Sequence, residues 1–108
     1  GGVKEMVAFF EKESKKGKIY VVTQGTFGSL PTYSMEIYLG DNKNIEKRGM
    51  YPLPGEIPAD LVTKAKKMPV YVVFNDSENA PFTWPLTLVA KYQKGTGDRH
   101  LSIYKVNP

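Results

Sequence analysis

Val3, Met6, Val7 and Phe10 are spaced i, i+3, i+4 and i+7, which places them on one stripe of a helix. The other face carries Lys4, Glu5, Glu11, Lys12, Glu13, Lys15 and Lys16, and Gly17 supplies the stop. Residues 18–23 (KIYVVT) change period: a β-branched and aromatic run of this length reads as a buried strand. Residues 24–30 form a polar, glycine-containing loop, and Pro31 opens a second helix that runs to about Leu39. Residues 41–44 are a turn, followed by a weaker strand over about 45–50.

Pro52, Pro54 and Gly55 make the next stretch irregular, after which Pro58 starts a helix with Leu61, Val62 and Ala65 as its apolar face. Residues 69–74 (PVYVVF) are apolar at almost every position, which predicts a central strand covered on both faces. Residues 86–93 are ambiguous. Leu86, Leu88, Ala90 and Tyr92 alternate as in a strand, whereas Leu86, Val89 and Ala90 fit a helical face with Pro85 at its first position. The helix is favoured, because Pro85 would cost a central strand a ladder hydrogen bond. Leu101, Ile103 and Val106 close the chain as a strand. The resulting α-β-α-β-α-β-α-β order predicts an α/β fold: a small three-layer α/β/α sandwich around a mainly parallel, Rossmann-like sheet of about four strands.

At 108 residues and 12.1 kDa, residues 1–108 are a single domain. Without cysteine there is no disulfide, thiolate metal site or cysteine nucleophile. No apolar run in these residues is long enough to span a bilayer. The opening Gly1-Gly2-Val3 has no initiator methionine and runs straight into a helical pattern, so a piece excised from a longer protein is expected. The net charge of +4 is modest. Lys15, Lys16 and Lys18 follow the first helix, and Lys64, Lys66 and Lys67 end the third, where they favour the helix dipole. Nucleic-acid binding would need exposed aromatics between them, and the aromatics fall instead in strands and apolar stripes. No nucleic-acid partner is expected, while weak attraction to anionic membrane headgroups fits the charge.

In an open parallel sheet, ligands bind beyond the carboxyl ends of the strands. Two loops fall there. One carries Gln24, Gly25, Thr26 and Gly28, the other Asn75, Asp76 and Glu78, and together they are the candidate ligand or acceptor crevice. Glycines permit close backbone approach to a phosphate, but neither GxGxxG nor GxxxxGKS/T is present, so a turn that needs glycine for its geometry is the simpler reading. Asp76 and Glu78 would serve acid–base work or a hydrated cation only if they converged; solvated loop acids are commoner. Asn75-Asp76-Ser77 also matches the short Asn-x-Ser/Thr glycosylation pattern. His100, the sole histidine, has no partner set for a metal or a triad and reads as a surface residue. Phe82 and Trp84 are a candidate aromatic interface, with packing over the next element as the plainer alternative.

Taken together, the stretches 17–28 (GKIYVVTQGTFG), Pro31 with 36–39 (EIYL), 71–75 (YVVFN), 84–86 (WPL), 91–95 (KYQKG) and 101–106 (LSIYKV) resemble the soluble C-terminal domain of a family of bacterial membrane glycosyltransferases. These are related to the dolichyl-phosphate-mannose protein mannosyltransferases and belong to the GT-C class of polytopic enzymes. The resemblance implies a parent enzyme that transfers a sugar from a polyprenyl-phosphate donor. It implies that this domain follows the last transmembrane helix, on the extracytoplasmic face of the cytoplasmic membrane. In that family the catalytic acid and any metal belong to the membrane-embedded part, which nothing in this sequence matches. The resemblance therefore implies no catalytic residue, cofactor or metal in this domain. Its partners would be the transmembrane part of the parent chain and an acceptor glycan or protein. Two other readings stay open on the residues alone: a free-standing α/β domain binding a nucleotide or other small anion, and a protein-interaction module.

Overall fold

A computed structural model describes residues 2–24, 38–50, 54–74, 81, 83–93 and 100–108. The elements are α1 (Gly2–Ser14), β1 (Ile19–Gln24), β2 (Ile45–Met50), α2 (Ala59–Ala65), β3 (Val70–Phe74), β4 (Leu86–Gln93) and β5 (His100–Val106). The strands form one five-stranded sheet in the order β2-β1-β3-β5-β4. β1 runs parallel to both β2 and β3, while β5 is antiparallel to β3 and to β4.

The Rossmann-like sandwich of about four mainly parallel strands is thus corrected. The sheet is mixed, it has five strands, and residues 86–93 form an edge strand where a helix was favoured. Pro85 causes no loss because it precedes the strand. Its carbonyl accepts the Asn107 backbone N–H at 2.8 Å, so the proline contributes the one backbone group it retains. The helix expected from Pro31 is described only at residues 38–39, which are helical. Pro58 flanks α2 with φ −57° and ψ 132°, one position before the first helical residue.

Strand alternation divides the core into two halves. Ile19 and Val21 of β1, Tyr71 and Val73 of β3, and Leu101 and Ile103 of β5 pack with Met6 and Phe10 of α1 and with Leu39. Tyr20, Val22, Val70, Val72, Phe74 and Val106 pack on the other face with Leu61 of α2, Met50 and Trp84. β3 is buried along its whole length, which is what its unbroken apolar run requires of the central strand.

α1 runs back along the sheet. Glu5 near its start raises the pKa of Tyr92 at the far end of β4, after the larger effect of burial. Glu13 near its end accepts a hydrogen bond from the Tyr71 hydroxyl at 3.2 Å, beside the start of β3. There Ser14, 2% exposed, anchors the turn before β2: its Oγ donates to the Glu11 carbonyl and accepts from Asn42 Nδ2 at 3.0 Å. Asn44 Nδ2 donates to the Ser14 carbonyl at 2.9 Å. These bonds set the level of the amino ends of the parallel strands.

Candidate functional site

The chain crosses from β1 to β2 on one side and then from β2 to β3 on the other, since β1 lies between them. The residues seen along the two crossovers lie on opposite faces: Leu39 packs on the α1 face, and Leu61 on the α2 face. β1 and β3 therefore flank a point where the direction of winding reverses, and at such a point neighbouring strand ends splay their loops apart.

Thr23 of β1 pairs with Val73 of β3, so Gln24 and Phe74 end adjacent strands at one edge of the sheet. The two loops of the candidate crevice leave from these neighbouring ends. The geometry brings their origins together. Gln24 itself closes β1, paired with Met50; Gly25, Thr26, Gly28, Asn75, Asp76 and Glu78 lie outside the described residues. β4 also ends at this edge, and His100 opens β5 there, its backbone opposite Gln93. The strand ends beneath the loop origins are closely packed: Val22, Val73 and Phe74 are fully buried, and the polar Thr23 is 3% exposed.

Trp84 is not part of an exposed aromatic patch. It is 5% exposed and packs edge-on to Phe74, with ring centroids 6.3 Å apart. A tight turn, closed by the Trp84 N–H to the Pro81 carbonyl at 3.0 Å, folds the indole back onto the sheet. Its Nε1–H donates to the Gly55 carbonyl at 3.2 Å, so the indole's polar edge is also satisfied. Trp84 thus packs over the sheet, the plainer of its two readings; Phe82 lies outside the described residues.

Sequence reasoning did not foresee what the parallel register does to the lysines. Because β1, β2 and β3 start level, the stretches before them meet at the opposite, amino edge of the sheet. The Ile19 N–H donates to the Asn44 carbonyl at 2.8 Å and the Tyr20 N–H to the Pro69 carbonyl at 3.0 Å, which joins all three stretches. Lys64, in the last turn of α2, lies over the Tyr20 ring at 4.9 Å from its centroid. The two lysine clusters therefore share one end of the molecule.

Among the described residues no three His, Asp or Glu side chains converge on a metal-sized site, and no helix is long and apolar enough to cross a membrane. No protein-family model, curated protein or solved structure matches the chain.

Proposed function

We propose that the chain is a non-catalytic, extracytoplasmic C-terminal domain of a membrane glycosyltransferase that uses a polyprenyl-phosphate sugar donor. Its role is to position the acceptor at the carboxyl edge of the sheet while bracing the membrane-embedded part of the parent chain. The resemblance of the stretches between residues 17 and 106 supports the family. The observation that carries the acceptor role is the adjacency of the β1 and β3 ends. It gives the loops that begin at Gln24 and Asn75 a common origin, over buried Val22, Thr23, Val73 and Phe74. Backbone groups freed by Gly25 and Gly28, together with the Thr26 hydroxyl and the Asp76 carboxylate, are suited to hydroxyl-rich acceptors.

The test is the double variant Thr26→Ala/Asp76→Ala in the full-length enzyme, assayed against a panel of acceptors. Changed acceptor preference with normal expression supports the role. Unchanged turnover of every acceptor refutes it.

A further inference from the structure

The amino edge of the sheet is the basic end of this molecule. Residues 13–18, 41–46 and 66–69 contain six lysines and three carboxylates, a surplus of three positive charges out of +4 for the whole chain. All six lysines are exposed. Glu13 is held by Lys16 at 3.1 Å and Glu46 by Lys18 at 3.4 Å, and the third carboxylate is Asp41. Lys15, Lys43, Lys66 and Lys67 have no ion-pair partner among the described residues. Tyr38, 63% exposed, stands at the same end, next to Leu39, whose carbonyl accepts the Asn42 N–H.

We infer that this edge docks on an anionic lipid surface, with the lysines over the headgroups and Tyr38 at the interface. The chemistry favours a bilayer over a nucleic acid. Lysine is a mobile point charge that suits a diffuse field of headgroups, whereas Arg48, the arginine among the described residues, lies off this rim with Nη1 2.8 Å from Asp60. One exposed tyrosine suits a headgroup layer, where an amphipathic ring is half wet. A single strand would instead want a series of stacking rings, and a duplex an element that enters a groove. Here the surface is three short stretches side by side, held level by the strand register. In the docked orientation the carboxyl edge of the sheet faces away from the lipid. The inference goes beyond the glycosyltransferase reading and does not depend on it.

The experiment is co-sedimentation of the 108-residue chain with phosphatidylcholine vesicles, with and without phosphatidylglycerol. Each lysine near an anionic surface strengthens binding about fivefold, so four unpaired ones give roughly several-hundred-fold over neutral vesicles. The binding disappears near 1 M salt, where the screening length falls to about 3 Å. Lys66→Gln/Lys67→Gln weakens it about 25-fold. The charge-matched pair Lys91→Gln/Lys105→Gln, exposed on β4 and β5, leaves it nearly unchanged. Three results would overturn the inference: equal binding to neutral vesicles, equal losses from both pairs, or tighter binding to a single-stranded oligonucleotide at the same salt. None of them bears on acceptor choice in the full-length enzyme.

Discussion

Trp84→Ala distinguishes a core tryptophan from a binding platform. The ring is 5% exposed, so truncation forfeits nearly all of its burial. An aromatic side chain of this kind buries roughly 150–250 Å². At about 25 cal/mol/Å² that is roughly 4–6 kcal/mol, an upper estimate because the unfolded chain already buries some of it. Trp→Ala substitutions in cores cost about 3–5 kcal/mol, which is consistent. Set against a domain stability of about 5–15 kcal/mol, the loss is large. With a urea slope of about 1.5 kcal/mol/M, the unfolding midpoint followed by circular dichroism falls by roughly 2–3 M. Trp84→Phe keeps an aromatic ring beside Phe74 but loses the donor to Gly55 and the volume of the indole's second ring, so its cost is roughly 1–3 kcal/mol, less than that of Trp84→Ala. The protein has a single tryptophan, so its fluorescence reports on this ring alone: blue-shifted and weakly quenched by iodide when native. A midpoint for Trp84→Ala that moves by no more than the ~0.5 kcal/mol of a surface substitution would refute the reasoning.

Two further outcomes follow from the polar contacts of α1. Ser14→Ala leaves Asn42 Nδ2 without its acceptor and costs about 1–3 kcal/mol. Adding Asn42→Ala to it costs less than the sum of the single changes in a double-mutant cycle; strict additivity would mean that the bond contributes nothing. The Tyr71 hydroxyl is pushed up to about 12, first by burial and then by the charge of Glu13. The native state therefore holds this proton more tightly than the unfolded chain, whose tyrosine titrates near 10. The resulting stability is fully present below about pH 10 and is lost as pH rises through 12. Tyr71→Phe should flatten the fall in stability across that window, and an unchanged slope would contradict the assignment.

The parts of the fold that were legible in the sequence are those in which one period serves one environment. The α1 stripe is recovered with Met6 and Phe10 fully buried and Val3 and Val7 half-buried beside them. The apolar run of β3 marks the central strand. β4 misled because two environments share one strand. Leu86 packs on the α2 face, but Ala90 and Tyr92 pack on the α1 face. An irregularity between Leu88 and Ala90 makes the switch, and the alternation across it belongs to two different faces. Val89, 40% exposed, is the extra residue, and at an edge strand its exposure is tolerable. Reading that stretch as a helix extended the α-β alternation too far and hid the antiparallel half of the sheet.

The candidate crevice was legible only as far as chain order fixes it. Strand ends at the carboxyl edge follow from parallel crossovers; that β1 and β3 are neighbours comes from the sheet order alone. Packing of Trp84 was the plainer sequence reading, but its partners were not legible, since they involve a turn back to Pro81 and the carbonyl of Gly55, distant in sequence. The basic edge was not legible either. Its lysines come from three separated stretches, and only the level start of β1, β2 and β3 assembles them.

The most direct measurement is on the native polypeptide in the cells that make it, detected by an antibody to this chain after membrane fractionation. The glycosyltransferase reading predicts a species much heavier than 12.1 kDa that stays with the membrane through alkaline and high-salt washes and is released only by detergent. Its remaining sequence would carry apolar segments of about 20 residues each. A polypeptide of about this chain's own mass, released from the membrane by salt or recovered in the supernatant, would contradict it.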